Sequence, residues 1–332
     1  MNRSSDELSG HGHEDEPCLF VDAHVDLPYY MMKHGGEASL STLDQGPFTL
    51  KKAWESGVRL FCTAIFCEDT FNGERSFKHL QGLLRFTRDR FDRINLINNN
   101  DSLNRLKECP DEIGTLFLLE NADALFENLS YIEQLKNEGI RIVGLTHAGK
   151  NRLADGNAVL YPDGLSKGGR EVVRVLNENG YVIDIAHLHS KCFRQLLDLF
   201  DGPVITSHTG LREACDIPRN IDLDQAGEIF DRDGVAGITF NPEMLSPDGE
   251  ADLEDIFMHV DILVQKFGPD CVGIGSDFCG FDRGAEGLEE VTKIPKLIDI
   301  MLEHGYGQEA VKKIMGLNWL RVYKNLFKGT KF

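Results

Sequence analysis

The stretch Phe20-Val21-Asp22-Ala23-His24-Val25-Asp26-Leu27-Pro28 decides how the rest of the chain is read. Its first residues continue a short apolar run of the kind that forms a buried strand. On a strand, residues i and i+2 point the same way. His24 and Asp26 therefore project together where the strand stops, and an imidazole beside a carboxylate is half of a metal site. Alone, the pair would be a polar strand end. It gains meaning only if other strands end in the same chemistry.

Working outward, eight short apolar runs stand out, at 19–23, 58–66, 113–119, 140–146, 181–186, 203–207, 234–240 and 271–276. They lack clean alternation, as expected of parallel strands buried on both faces. Helix-like stretches lie between them, at 76–91, 168–179 (stopped by Gly180), 251–267 and 308–327, and Ser190 is placed to cap another. Eight strand–helix units predict an α/β fold, a (β/α)8 TIM-type barrel. The competing architecture is an open doubly wound sheet, but no Gly-x-Gly-x-x-Gly follows any run. One barrel domain over 18–332 is expected, preceded by a disordered polar tail over 1–17. His11 and His13 in that tail read as tail residues, not ligands.

Composition narrows the function. The chain has 332 residues and a formal charge of −19, which argues against a nucleic-acid partner because phosphate contacts need a basic surface. No run approaches the ~18 apolar residues of a membrane span. The first residues lack the apolar core of a signal peptide. The eight cysteines are scattered without a C-x-x-C pair, which suggests reduced thiols and a cytoplasmic protein.

In a barrel of this type the C-terminal strand ends converge on one site. The first run ends at His24 and Asp26, the third at Glu120, the fourth at His147, the fifth at His187, the sixth at His208 and the eighth at Asp277. The second and seventh end without an obvious ligand, although Asn241 follows the seventh. His, Asp and Glu fill only about a fifth of the chain, so their recurrence at six ends points to a shared metal centre. This set exceeds what one tetrahedral zinc takes. It suits two divalent ions about 3.5–4 Å apart with a carboxylate between them, and hydrolysis is the natural reaction class.

At this point the chain resembles the membrane dipeptidase (renal dipeptidase) family of the amidohydrolase superfamily. The resemblance runs from about Phe20 to about Tyr323. It is carried by VDAHVDLP, the Glu120 strand end, LTHAGKNRLADG, GLSKGGREVVRVLNENGYVIDIAHLHS, PVITSHTGLREACDIPRNI, VGIGSDFCGFD and GLNWLRVY. It implies a barrel with two zinc ions and cleavage, by a metal-bridging hydroxide, of dipeptides with a free C-terminal carboxylate, L-D dipeptides included. By motif, His24 and Asp26 would bind one ion, Glu120 would bridge, and His187 and His208 would bind the other. Asp277 would exchange a proton with the bridging water. His147 would bind the substrate carbonyl oxygen, and Arg219 the substrate carboxylate. A homodimer is the assembly the resemblance implies.

Alternatives stand beside these assignments. By strand spacing, His189 competes with His187, which the family motif favours, and Arg212 competes with Arg219 as the carboxylate clamp, where the PRNI match favours Arg219. Asp184 reads as a buried hydrogen-bonding residue and Asp22 as a support for the ligands. The GLSKGG turn reads as a helix cap. Another small amide or ester substrate would use the same centre, and a non-catalytic metal-binding accessory protein is the third reading. The chain departs from the family in Cys279, where an Asp is usual, and in Asn121-Ala122-Asp123 after Glu120, where the renal enzymes have Gly-His-Ser. It shows no lipid-anchor pattern, so a membrane attachment is not expected.

Overall fold

The computed structural model describes residues 19–109 and 111–328; the tail expected over 1–17 lies outside them. The strands are β1 (Phe20–Val25), β2 (Val58–Phe66), β3 (Asn95–Leu96), β4 (Gly114–Glu120), β5 (Ile140–Gly144), β6 (Val182–Asp184), β7 (Val204–Thr209), β8 (Ala236–Ile238) and β9 (Val272–Ile274). They pair in the order β2-β1-β9-β8-β7-β6-β5-β4-β3, and β2 also pairs with β4. That last pairing closes the ring. Its register runs unbroken from Leu60 opposite Gly114 to Phe66 opposite Glu120. All named strand pairings are parallel, and helices fill the connections, so the molecule is a (β/α)8 barrel and not an open sheet.

The eight apolar runs supply the eight strands of the ring. The extra strand, β3, pairs with Gly114 and Thr115 on the edge of β4 that β5 takes over from Phe117. Two residues, one of them Asn95, are too few and too polar to register as an apolar run.

Two apolar layers hold the barrel. The larger lies between sheet and helices. The smaller draws Val21, Leu60, Leu116, Ile142, Val182 and Ile205 from six different strands into one cluster with Trp319 and Tyr323. Side chains from six strands of one ring can meet only inside it, so this cluster is the barrel interior. The C-terminal helical segment closes it. Gln308–Lys312 and Asn318–Leu326 flank a π-helical turn at Lys313–Leu317. Asn318 donates to the carbonyls of Pro269 and Val272, both at 2.7 Å, and Trp319 Nε1 to that of Ile274 at 3.0 Å. The GLNWLRVY stretch is thus the plug of the barrel.

One local expectation changes, and another holds. The helix Ser190–Leu197 is capped by His189, whose Nδ1 accepts the Lys191 N–H at 3.1 Å, and Ser190 is its first residue. The turn before Lys167–Glu178 is a cap, as expected: Ser166 Oγ accepts from the Gly169 N–H at 2.9 Å. Among the described residues no helix is long and apolar enough to cross a membrane.

Candidate metal centre

The strand ends do converge. Glu120, the last residue of β4, sets Oε2 3.5 Å from His24 Nε2 and Oε1 3.0 Å from His187 Nε2. His24 Nε2 is also 3.5 Å from Asp26 Oδ2, and His187 Nε2 is 3.1 Å from His208 Nε2. Donor atoms fall into three overlapping groups, each within 4.8 Å: His24, Glu120 and His208; Glu120, His147 and His187; His24, Asp26 and Asp277. Arg219 borders them, donating from Nη2 to the His208 carbonyl at 3.1 Å.

The backbone at these ends is irregular. Register shifts interrupt β1 between Asp22 and Val25 and β7 between Thr206 and Thr209. Each interval contains a donor, His24 or His208, and a bulge is the usual way to re-aim a side chain at a site. His187, Asp277, Asn121 and Cys279 adopt positive φ, between 65° and 74°. Such backbone is uncommon without glycine and concentrates where a fold over-determines a functional site.

The charges of these buried groups divide. Burial, helped by the Arg219 charge, pushes His187 down to about 3. Burial and the neighbouring His24 and Arg219 charges hold His208 well below the usual range. Both are neutral imidazoles, the form that ligates. Burial would lower His24 too, but the Glu120 and Asp26 carboxylates win and hold it well above its ordinary value. Glu120, despite burial, is held well below by the His24 charge and by His187. Asp277 is raised well above the carboxylate range by burial, then by the Asp26 charge.

This donor set fits divalent ions. His24 Nε2 and Asp26 Oδ1 are buried with no hydrogen-bond partner, and two imidazole nitrogens face each other at 3.1 Å. Buried lone pairs so arranged are unfavourable unless a cation or proton stands between them. Imidazoles with carboxylates select zinc, manganese, cobalt or iron over hard, all-oxygen ions.

Around the donors runs a layer of supports. Asp22 Oδ1 accepts from the N–H groups of His24 and Ser276, at 3.2 and 2.9 Å. Asp184 Oδ1 accepts from those of Ala186 and Ser207, at 3.0 and 2.9 Å. Each aspartate thus ties two neighbouring strand ends together, and Asp184 is the buried hydrogen-bonding residue expected. Three supports escaped the sequence. Asp69, in the 3-10 turn Asp69–Phe71 after β2, contacts His147 Nδ1 through Oδ2 at 3.0 Å. Asn121 Nδ2 donates to the Cys67 carbonyl at 2.7 Å and to Asn72 Oδ1 at 2.8 Å. Ser207 lies between His24 and His208. Asp69 is three residues beyond the second apolar run, and reading that far past each run would have found it.

The competing residues lie elsewhere. His189 caps its helix and belongs to none of the donor groups. Because β6 ends at Asp184 and His187 is left-handed, two-residue strand spacing does not reach 187–189. Arg212 pairs with Asp216 at 2.7 Å on the surface, whereas Arg219 faces the donors.

A cavity of about 1170 Å³ opens beside the centre, lined by Tyr30, Lys33, Asn241, Cys279 and Phe281 among others. Gly280 joins it to the donors: a Cβ there would come within 2.4 Å of both Asp26 Oδ2 and Asp277 Oδ1. Cys279 is buried, outside the donor groups, and its thiol is pushed well up by burial and then by Asp26.

The family model for membrane dipeptidases (peptidase family M19) matches residues 16–329. Dipeptidase tcpJ of Claviceps purpurea is 28% identical over 317 residues, covering 94% of this chain and 71% of that protein. Dipeptidase aclJ of Aspergillus oryzae is 31% identical over 217 residues, covering 64% of this chain and 51% of that protein. In fold, the chain is similar to a metallopeptidase of Rhodobacter sphaeroides solved with a phosphinate mimic of L-Ala-D-Ala. The TM-score is 0.83 at 21% identity, over 93% of this chain and 99% of the other.

Proposed function

The chain belongs to the membrane dipeptidase family, peptidase family M19, and from that premise we propose that it is a zinc dipeptidase acting on dipeptides with a free C-terminal carboxylate, L-D dipeptides among them. One observation carries the two-ion form of this proposal. The two oxygens of Glu120 reach imidazoles of different donor groups, His24 on one side and His187 on the other. A carboxylate so placed is built to bridge. His24 and Asp26 would then hold one ion, and His187 and His208 the other.

Two bound divalent ions would supply an acidified water and polarisation of the amide carbonyl. The protein supplies the rest. Asp277 lies in one donor group with His24 and Asp26, placed to take a proton from the water and pass it to the leaving amine. His147 keeps Nδ1 on Asp69, which leaves Nε2 to hold the substrate carbonyl oxygen. Arg219 brings a planar fork suited to a carboxylate. A substrate without that carboxylate would have no use for Arg219, which favours dipeptides over other small amides and esters.

We further infer a cytoplasmic, homodimeric protein of one barrel domain over 18–332. The seven described cysteines are all free, in keeping with a reducing compartment. The loop after β5 holds Leu160 and Tyr161 85% and 91% exposed, an apolar pair that a second copy would cover.

The test is a dipeptide library with L- and D-residues at the C-terminal position, assayed on zinc-loaded protein. Cleavage is expected, with kcat lost in Asp277→Asn and KM raised in Arg219→Ala. No cleavage of any dipeptide by protein shown to hold two ions would sink the proposal.

A further inference from the structure

Ser207 is fully buried at the end of β7, and its hydroxyl has an unusual set of neighbours. Oγ is 3.0 Å from His24 Nδ1 and 2.9 Å from His208 Nδ1. The two rings come from strands carrying different halves of the centre, and their centroids are 3.8 Å apart. Both turn the other nitrogen inward: His24 Nε2 towards Asp26 and Glu120, His208 Nε2 towards His187. Asp184 Oδ1 accepts the Ser207 N–H at 2.9 Å.

Hydrogen counting fixes the directions. An imidazole that gives its Nε2 lone pair to a cation keeps its proton on Nδ1. Two Nδ1–H groups then point at one hydroxyl oxygen, which has two lone pairs to receive them. With both Nε2 lone pairs given to cations, both hydrogen bonds at Ser207 Oγ are satisfied at once only in this arrangement.

We propose that Ser207 is a positioning residue for both halves of the metal centre: its hydroxyl accepts from His24 Nδ1–H and His208 Nδ1–H and so fixes both rings as Nε2 donors. The inference rests on the two-ion form of the proposed function. Its consequence is that one hydroxyl supports two metal positions, so its loss weakens both together. Partners of metal-bound histidines typically change affinity by about 10–100-fold.

Zinc titration of metal-free protein against a chromophoric chelator tests this. Wild type is expected to take up two ions, and in Ser207→Ala both steps weaken by about 10–100-fold. Ser207→Cys, which keeps a weak acceptor of similar size in place, recovers part of the loss. A second readout needs no variant. In long-range ¹H–¹⁵N spectra of zinc-loaded wild type, His24 and His208 both show Nδ1–H protons that exchange slowly. Weakening of one step or neither in Ser207→Ala, or an Nε2–H tautomer at either histidine in wild type, overturns the assignment. Failure of wild type to bind two ions would instead sink the two-ion reading. Absence of dipeptide cleavage by the loaded wild type would leave Ser207's role standing.

Discussion

Asp69 and His147 show how much one side chain beyond a strand end decides. Burial would raise Asp69, but the hydrogen bond and charge of His147, with the Gly149 N–H and Asn72, together outweigh it and hold it low. In return, although burial would lower His147, Asp69 raises it. Gly149 N–H donates to the same Asp69 oxygen at 3.0 Å, so the carboxylate positions both the imidazole and the loop that follows. Asp69→Asn keeps the shape and removes the charge. It is expected to lower kcat/KM by about 10–100-fold, as for other supporting partners. The imidazolium loses its counter-charge, so the limb of the kcat/KM–pH profile governed by His147 moves to lower pH. An unshifted profile would mean that Asp69 serves only the loop. The sequence declares His147 but not Asp69, because the 3-10 turn that carries Asp69 back to the site has no apolar periodicity to announce it.

At the scale of elements, the strands form the ring and the last helical segment closes it. Trp319 is fully buried against β8 and β9. A Cβ at Gly273 would come within 2.3 Å of Trp319 Nε1, and one at Gly237 within 3.1 Å of its Cζ2. These strands carry glycine because an indole lies on them. Trp319→Ala removes that fill and leaves the Ile274 carbonyl without its donor. A cost of about 3–5 kcal/mol is expected in denaturant unfolding, with zinc affinity in the surviving folded protein little changed, since Trp319 touches none of the donors. Helix existence was legible here from spacing alone; the π turn at Lys313–Leu317 was not. It places Gly316 where a Cβ would come within 2.0 Å of the Leu19 carbonyl, a close approach set by tertiary contact.

For the whole molecule, a centre built from six strands ties metal binding to the closure of the barrel. Removing the ions with a chelator is expected to abolish dipeptide cleavage and lower the melting temperature. At free metal about 100 times Kd, each ion adds about 2.7 kcal/mol to the folded state. Binding also displaces protons. His24 and Asp277 are both held well above their ordinary values in the metal-free protein, where burial opposes the first shift and promotes the second. His24 therefore carries a proton at pH 7 and must lose it to ligate. Zinc affinity should rise with pH, and calorimetry in buffers of differing ionisation enthalpy should record proton release. Zinc binding with no net proton release would contradict this charge distribution.

The eight ring strands, the barrel and the His, Asp and Glu side chains gathered at its mouth were legible in residue type and spacing. Apolar runs bury themselves wherever they fall, and only a few side chains can hold a divalent ion. Tertiary structure alone decided how the donors meet. His24 and His208 are aimed by interruptions in strand register, and His187 by a left-handed backbone. His189 instead caps its helix, and Arg212 pairs with Asp216 on the surface. Tertiary structure also set the places of Asp69 and Ser207, whose hydrogen bonds span 78 residues in one case and 183 in the other. A local pattern cannot encode such contacts, because they exist only once the ring has closed and brought distant strand ends within a hydrogen bond of one another.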